Sequence, residues 1–255
     1  MPKKRLVFTL LYQENSFWLS RNFRLQRVGD INWLQKNYEF SRVAQSIDEL
    51  IILDVSRENS DQNKFLDAVA ALSQDCFMPI ALGGGINTIA KAELYIKNGA
   101  DKLIINTALT SNPSLITDLV RIYGSQCIIA SVDLKYENQT VSVCIDRART
   151  VAAISFEDYL DSLISLGVGE IYLNDIKRDG TGQGYDLTLL DQYFQGFPLP
   201  VILAGGVGNA DHLLEGILVD GVDAVSTANL FNFMGDGLPN ARKYLLAHQV
   251  DLALW

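Results

Sequence analysis

The sequence has 255 residues, of which 48% are hydrophobic, so it is long enough to fill the core of one large α/β domain. Its formal net charge of −9 repels nucleic-acid phosphates, which argues against a nucleic-acid partner. No apolar run is long enough to cross a membrane, and the run Leu6 to Tyr12 is typical of a first strand. The three cysteines form no CxxC pair, so we expect a cytoplasmic protein without disulfides, metal or cofactor.

Short apolar runs rich in valine, isoleucine and leucine alternate along the chain with helical patterns. The runs predict strands buried on both faces, at Leu6–Leu11, Leu50–Leu53, Pro79–Leu82, Leu103–Ile105, Cys127–Val132, Ile171–Leu173, Pro200–Leu203 and Ala224–Ser226. Helices are predicted at Ile31–Gln45, Asn63–Gln74, Ile89–Asn98, Pro113–Tyr123, Phe156–Leu166, Leu187–Tyr193, His212–Leu218 and Pro239–His248. Eight strands that are each followed by a helix predict a single (β/α)8 TIM barrel over residues 1–255, and a doubly wound open sheet is the alternative.

The two halves of the chain share an internal repeat. Residues 78–109 and 199–230 each contain a proline, an apolar run, a glycine pair, a helix and then Gly-x-Asp before a strand. Gly84 and Gly205 are 121 positions apart, and so are Asp54 and Asp175 (205 − 84 and 175 − 54). A duplicated half-barrel produces this pattern, which predicts two similar sites on opposite sides of one barrel mouth.

Glycine pairs follow the third and seventh predicted strands, where the backbone can approach a phosphate closely with its N–H groups. Small polar residues follow strands four and eight; they either complete each phosphate pocket or cap the next helix. A polar, glycine-rich loop follows strand six and either folds over a ligand or is a solvated surface loop. We expect a substrate with a phosphate at each end. The candidate binding residues are Gly84, Gly85, Asn106, Thr107, Asp179, Gly180, Gly205, Gly206, Ala228 and Asn229.

Three aspartates end predicted strands at the catalytic face of the barrel: Asp54, Asp133 and Asp175. A carboxylate there can exchange protons with a substrate, whereas the alternative role is loop capping. Asp133 is the preferred catalytic candidate. Residues 136–155 show no clear element and are expected to form a mobile lid. The two histidines lie in helical patterns, so neither a histidine triad nor a metal site is expected.

Four charged residues stand at the starts of strands one, two, four and six: Arg5, Glu49, Lys102 and Glu170. This position places them at the bottom of the barrel, away from the predicted chemistry. Two positive and two negative charges can form a closed buried ring. Their spacing alone favours separate exposed ion pairs instead.

Together these motifs resemble HisF, the cyclase subunit of imidazole glycerol phosphate synthase, over almost the whole chain. The strongest matching segments are Asp48-Glu49-Leu50, Gly83-Gly84-Gly85-Ile86, Ile105-Asn106-Thr107-Ala108, Asp133 with Lys135, and Arg178-Asp179-Gly180-Thr181. The resemblance implies a barrel with half-barrel symmetry and a HisH-like glutamine amidotransferase docked at its bottom. It also implies that ammonia rises through the barrel, that the four charged residues gate its entry, and that the glycine loops bind a phosphorylated small molecule.

The chain departs from this family in strand one. Leu11 occupies the position of a catalytic aspartate that works opposite the strand-five aspartate, and Leu19, with Arg21 nearby, stands where the family has a lysine. In the strand-six loop, Asn174 and Asp175 replace the usual threonine and serine. Loss of one acid–base partner typically lowers a rate by about 10² to 10⁴. We therefore expect the cyclase reaction to be weak or absent.

A leucine at this point in strand one resembles the WbuZ-type paralogues of HisF. That resemblance implies a subunit that passes ammonia to an ATP-dependent amidotransferase acting on an N-acetyl sugar in surface-polysaccharide (O-antigen) biosynthesis. The first alternative is a working cyclase subunit of histidine biosynthesis that uses Asp133 with Asp54 or Asp175. Two further alternatives are a non-catalytic activator of the glutaminase and a related isomerase of the same pathway.

Overall fold

The computed structural model describes residues 3–56, 61–74, 77–138 and 140–254. The elements in chain order are β1 (Arg5–Gln13), β2 (Ser16–Arg21), β3 (Arg24–Gly29), α1 (Ile31–Asn37), α2 (Phe40–Ala44), β4 (Glu49–Asp54), α3 (Gln62–Ser73), β5 (Ile80–Gly83), α4 (Ile89–Lys97), β6 (Lys102–Ile105), α5 (Ala108–Ser111), α6 (Pro113–Tyr123), β7 (Ile128–Glu137), β8 (Thr140–Ile145), β9 (Thr150–Val151), α7 (Phe156–Leu166), β10 (Glu170–Asp175), α8 (Thr188–Tyr193), β11 (Val201–Ala204), α9 (Ala210–Ile217), β12 (Ala224–Thr227) and α10 (Gly237–Ala247).

Eight parallel strands close into a barrel in the order β1, β4, β5, β6, β7, β10, β11 and β12, and β12 pairs again with β1. The pairing of β7 with β10 joins the two halves, with Asp133 opposite Asn174. The predicted (β/α)8 barrel is therefore confirmed, and the open sheet is excluded. Among the residues that the structure describes, no helix is long and apolar enough to cross a membrane.

Alternate strand residues fill the barrel interior, as the two-residue period of a strand requires. Nine buried apolar or aromatic side chains pack there in one cluster: Val7, Ile51, Ala81, Ile104, Ile129, Tyr172, Ile202, Ala204 and Ala224. The Tyr172 hydroxyl is 3.3 Å from Thr9 Oγ1, which is in turn 2.8 Å from Ser226 Oγ. The interior thus changes from apolar to polar towards the carboxyl ends of the strands.

The prediction of one helix over Ile31–Gln45 is wrong, because a short extended segment separates α1 from α2. Tyr38 adopts an extended conformation at the end of α1, with φ −130°. Its ring is buried and its hydroxyl donates a hydrogen bond to the carbonyl of Leu230. Burial of this aromatic side chain overrides the helical pattern of the surrounding residues.

Two antiparallel extensions rise from the barrel and were not predicted. Strand β1 continues into the hairpin of β2 and β3, whose two-residue loop holds Asn22 and Phe23 at φ 50° and 61°. Strand β7 continues past the barrel, pairs with β8, and β8 pairs with β9. The expectation that residues 136–155 lack secondary structure is therefore wrong for β8 and β9. Both extensions stand at the carboxyl end of the barrel, where they position residues over its mouth.

Candidate active site

A cavity of about 1250 Å³ opens at the carboxyl ends of the barrel strands. It is lined by the preferred catalytic candidate Asp133 and by all ten candidate binding residues: Gly84, Gly85, Asn106, Thr107, Asp179, Gly180, Gly205, Gly206, Ala228 and Asn229. Its volume is large enough to hold a ligand of metabolite size. The structure therefore brings the predicted site residues together around one mouth.

Asp133 lies buried in this cavity between two asparagines. Asn106 Nδ2 donates to Asp133 Oδ2 over 3.1 Å, and Asn174 Nδ2 lies 3.3 Å from Oδ1. Burial raises the pKa of Asp133 to about 7; the Asn174 hydrogen bond opposes this rise and the charge of Asp179 adds to it. A carboxyl group with this pKa can both accept and donate a proton near neutral pH. Asn106, which the sequence assigned to phosphate binding, thus also orients the catalytic candidate.

Of the two aspartates that the sequence proposed as partners of Asp133, only Asp54 lines this mouth. Leu11 lines the cavity, as expected from its place on β1. Asp175 is not among the lining residues, and its carboxylate accepts the backbone N–H of Lys177 at 2.8 Å. Asp54 does line the cavity, and it accepts the N–H of Ser56 at 2.9 Å. Asp175 therefore caps its own loop, which was the alternative role for all three aspartates.

Asp179 is a better placed second carboxylate than Asp175. It lines the cavity, and its charge contributes to the raised pKa of Asp133. Burial raises the pKa of Asp179 itself, while hydrogen bonds from the Ser20 hydroxyl and the Phe23 N–H oppose that rise. The Phe23 N–H donates to Asp179 Oδ2 over 3.0 Å. Asp179 thus joins the β2–β3 hairpin to the loop after β10, the sixth barrel strand, which is called the strand-six loop below. No pattern in the sequence indicated this contact.

The two glycine loops have the same construction, as the internal repeat predicts. Gly84 and Gly205 have φ +117° and +91°, in the left-handed region that favours glycine. A Cβ atom on Gly84 would overlap the carbonyl of Asp54, and one on Gly205 would lie 2.8 Å from the carbonyl of Asp175. Each loop therefore packs its backbone against the preceding strand end, and only glycine fits.

The helices after these loops begin with matching caps. Thr88 Oγ1 accepts the N–H of Lys91 before α4, and Asn209 Oδ1 accepts the N–H of His212 before α9. Thr88 and Asn209 are again 121 positions apart (209 − 88). A helix N-terminus beside a glycine-rich turn presents backbone N–H groups and a positive dipole end to an anion. Each loop and its helix thus form a glycine cradle, the first at Gly84–Gly85 and the second at Gly205–Gly206.

Two basic residues, Lys91 and His212, lie beside the cradles, and neither was predicted from the sequence to belong to the site. The Lys91 ammonium lies 3.2 Å from the position of a Cβ on Gly85, and burial lowers the pKa of Lys91. At the equivalent position of the second half, His212 Nδ1 accepts the N–H of Gly208 at 3.1 Å. The offset of 121 residues pairs Lys91 with His212, so the repeat itself carried the signal.

The polar residues after β6 and β12 differ in what they do. Thr107 makes no side-chain cap to α5; its hydroxyl instead accepts the N–H of Asp146 at 3.2 Å. Asn229 Oδ1 accepts the N–H groups of Phe231 and Asn232, each at 3.1 Å. Thr107 therefore holds the turn between β8 and β9, while Asn229 caps the segment after β12.

The four charged residues at the bottom form a closed ring, called the charged ring below. Glu49 Oε2 accepts from Arg5 Nη1 at 2.8 Å and from Lys102 Nζ at 2.9 Å. Glu170 pairs with Lys102 at 3.0 Å and with Arg5. The two glutamates are buried, and burial raises the pKa of Glu49 although Lys102 and Arg5 lower it. The alternative of separate exposed ion pairs is therefore wrong.

Comparisons with known proteins give the family. The model of the family described as "Histidine biosynthesis protein" matches residues 26–235. The chain belongs to this family, as a HisF-like member. It is 44% identical over 256 residues to a protein of Parasynechococcus marenigrum (strain WH8102) provisionally named imidazole glycerol phosphate synthase subunit hisF2, covering 100% of this chain and 95% of that protein.

A second HisF-like relative has a lower sequence identity to this chain. The chain is 34% identical over 219 residues to the imidazole glycerol phosphate synthase subunit HisF of Dictyoglomus thermophilum, covering 86% of this chain and 85% of that protein. Neither name refers to sugar amidation or to surface polysaccharides. The names fit the histidine-pathway alternative better than the sugar-amidation hypothesis.

Proposed function

We propose that this HisF-like chain is the synthase subunit of a glutamine amidotransferase pair, and that it uses ammonia on a phosphorylated substrate. The first candidate reaction is the cyclase reaction of imidazole glycerol phosphate synthase. The observation that carries the proposal is the position of two features on one barrel. The charged ring lies at the amino ends of the strands, and Asp133 lies between the glycine cradles at the carboxyl ends.

The interior between these two ends suits the passage of neutral ammonia. An apolar cluster separates the charged ring from the mouth, and burying an ammonium ion there would be far more costly than burying neutral ammonia. Within the described residues, Glu49 Oε1 is buried without a hydrogen-bond partner. This oxygen is an acceptor that an N–H group of entering ammonia can use.

Three large apolar side chains are exposed towards the amino end of the barrel, the end that carries the charged ring. Phe77 before β5 is 97% exposed, and Leu254, two residues beyond the bridge of Leu252 to Lys4, is 81% exposed. Leu218, which follows α9, is 65% exposed. Exposed large apolar side chains at one end of a fold are candidates for contact with a protein partner. A HisH-like glutaminase docked here would release ammonia at the charged ring.

At the mouth, the proposed reaction depends on the placement of the substrate and on proton transfer by Asp133. The two cradles hold the phosphate ends of the substrate, which places its reacting centre above Asp133. Asn106 and Asn174 fix the carboxyl group, whose pKa of about 7 allows it to act as general base and then as general acid. Asp179 supplies the second carboxylate that Leu11 does not provide.

A second candidate function rests on Leu11. If the reaction requires a carboxylate on β1, the leucine leaves the mouth inactive as a cyclase. The chain would then deliver ammonia onward, as in the WbuZ-type hypothesis, to an ATP-dependent amidotransferase acting on an N-acetyl sugar. A subunit that only activates the glutaminase would share this lack of chemistry at the mouth.

The deciding experiment follows the ribulosyl substrate of imidazole glycerol phosphate synthase with ammonium salts and no glutaminase. Wild-type protein is compared with Leu11→Asp and with Leu11→Asn, which matches the aspartate in size but carries no charge. Turnover by the wild-type chain at ordinary enzymatic rates supports the cyclase. Silence of the wild type, with activity gained in Leu11→Asp and not in Leu11→Asn, supports the second candidate and overturns the first.

A further inference from the structure

Four arginines converge on the mouth of an otherwise acidic chain. Arg21 and Arg24 come from the β2–β3 hairpin, and Arg147 and Arg149 come from the turn between β8 and β9. Among the residues that the structure describes, none of the four forms an ion pair, although most other arginines of the chain do. Neither the proposed acid–base chemistry nor the glycine cradles account for these four charges.

The first pair is set face to face by its hairpin. Arg21 and Arg24 are direct cross-strand partners on either side of the loop Asn22-Phe23. Like charges directly opposite each other in a hairpin are destabilising. A bound anion between the two guanidinium groups would offset this repulsion.

The second pair, Arg147 and Arg149, lies in a turn with left-handed backbone conformations. Asp146, Arg147 and Ala148 have φ 50°, 55° and 61°, so three consecutive residues other than glycine occupy the left-handed region. Such conformations persist where surrounding contacts impose them, and they concentrate at binding sites. Here the Asp146 N–H bonds to Thr107 Oγ1 and Arg147 donates to the carbonyl of Ser56.

Each pair is tied to one glycine cradle. Thr107 and Ser56 follow β6 and β4, the strands on either side of the one that ends at the first cradle, so Arg147 and Arg149 lie on that side. The β2–β3 hairpin is joined to the strand-six loop by the hydrogen bond from the Asn22 N–H to the Asp179 carbonyl, at 2.9 Å.

That loop reaches the second cradle. The Gly184 N–H donates to the Gly206 carbonyl at 2.8 Å, and a Cβ on Gly208 would lie 2.7 Å from the Gly182 carbonyl. The β2–β3 hairpin, the strand-six loop and the second cradle therefore form one connected unit. Arg21 and Arg24 belong to the side of the mouth that binds the second phosphate.

Acidic residues of the same cavity do not neutralise these arginines. Asp54 accepts the Ser56 N–H, and Asp179 accepts the Phe23 N–H and the Ser20 hydroxyl. Glu14 and Asp146 also line the cavity, and neither forms an ion pair with another described residue. The arginines are thus available to an anionic ligand.

We propose that the two arginine pairs are anion-binding residues that close over the two ends of a bis-anionic ligand held in the glycine cradles. The ligand class is a phosphorylated sugar or sugar alcohol with a phosphate at each end. Arg21 and Arg24 bind the phosphate of the second cradle, and Arg147 and Arg149 bind that of the first. Guanidinium groups suit this task because they bind phosphate oxygens in pairs. The inference rests on the proposed function only in taking a phosphorylated ligand at the mouth.

The test measures binding by calorimetry with two probes, ribulose 1,5-bisphosphate and ribose 5-phosphate. The variants are Arg21→Gln with Arg24→Gln, and Arg147→Gln with Arg149→Gln. Arg27→Gln is the matched control, because Arg27 lies on the same hairpin, does not line the cavity and donates to Ser16 Oγ at 2.9 Å. Thermal unfolding checks that every variant is folded.

Each double variant should bind the bisphosphate about 10- to 100-fold more weakly than wild type, as expected for lost charge-assisted hydrogen bonds. The monophosphate should lose affinity in one double variant and not in the other. The Arg27→Gln control should stay within about twofold of wild type. Both losses should shrink as salt is raised.

The outcomes distinguish failure of the arginine inference from failure of the proposed function. If wild type binds the bisphosphate and both double variants bind it equally well, the arginine inference is overturned and the proposed function stands. In that case, loss of binding in a folded Gly206→Val variant would show that the cradles hold the ligand without the arginines. If wild type binds neither probe at millimolar concentration, the phosphorylated ligand of the proposed function is overturned together with the inference.

Discussion

Replacing Lys102 by methionine tests the charged ring as a buried, coupled unit. The change keeps most of the side-chain length and leaves Glu49, 2% exposed, and Glu170, 8% exposed, with Arg5 as their one remaining partner in the ring. Removing one partner of a buried ion pair costs about 3–5 kcal/mol. Because the Lys102 side chain is 21% exposed, water can reach the vacated end, so we expect about 2–4 kcal/mol.

The loss of stability caused by Lys102→Met should increase as pH rises. Burial raises the pKa of Glu49 and attraction to Lys102 lowers it, so the variant raises that pKa further. A carboxyl group whose pKa is raised on folding binds its proton more tightly in the folded state. Its contribution to stability is therefore complete below the unfolded pKa of about 4.3 and is lost as pH rises through the folded pKa. The stability gap between variant and wild type should widen from pH 5 to pH 8.

Thermal unfolding measures both expectations. A loss of about 2–4 kcal/mol lowers the midpoint of a chain this size by roughly 5–15 °C. Lys97→Met is the matched control, since Lys97 pairs with Glu93 at 2.6 Å on an exposed helix face and should leave the midpoint within about 2 °C of wild type. A Lys102→Met midpoint within 2 °C of wild type at pH 8, or a gap that narrows with rising pH, would refute the reasoning.

Two further variants test the mouth. Gly84→Ala should destabilise the chain and weaken phosphate binding much more than Gly99→Ala, because both glycines have positive φ but only at Gly84 does a Cβ meet another group, the Asp54 carbonyl. Denaturant unfolding and phosphate titration compare the two, and equal losses would mean that φ alone matters. Asp179→Asn should lower the pKa of Asp133, since the charge of Asp179 helps to raise it. Carbon-13 NMR of the Asp133 carboxyl group measures this shift, and an unchanged or higher pKa would remove Asp179 from the site.

Much of the barrel could be predicted from the sequence because its signals are local. Buried parallel strands read as short apolar runs, and the repeat of Gly84 at Gly205 marked both cradles. The charged ring could not be decided in this way. Whether Glu49 meets Lys102 depends on barrel closure, which brings residues 53 positions apart in sequence within 2.9 Å. The positions of the four charges allowed a ring but favoured separate ion pairs, and only the family resemblance favoured the ring that the structure shows.

The parts that escaped prediction depend on contacts across the mouth. Strand β3 is polar and β9 has only two residues, so neither carries a hydrophobic pattern, and β2 and β8 are short apolar runs outside the alternation of strands and helices that marks the barrel. Their positions are fixed by a few hydrogen bonds to distant loops, such as that between Asp146 and Thr107. The choice between Asp175 and Asp179 as second carboxylate also depends on loop geometry, since both lie in one polar segment.

The central claim, that ammonia reacts at a mouth where Asp133 transfers protons, is tested most directly by a rate profile. Ammonium-dependent turnover of the ribulosyl substrate is measured from pH 5.5 to 9 at a fixed concentration of free ammonia, for wild type and for Asp133→Asn. The account predicts an inflection near pH 7 in the wild-type profile, from the pKa of about 7, and its disappearance with a rate loss of about 10² to 10⁴ in the variant. Turnover that is equal in the two proteins, or absent from wild type, would contradict it.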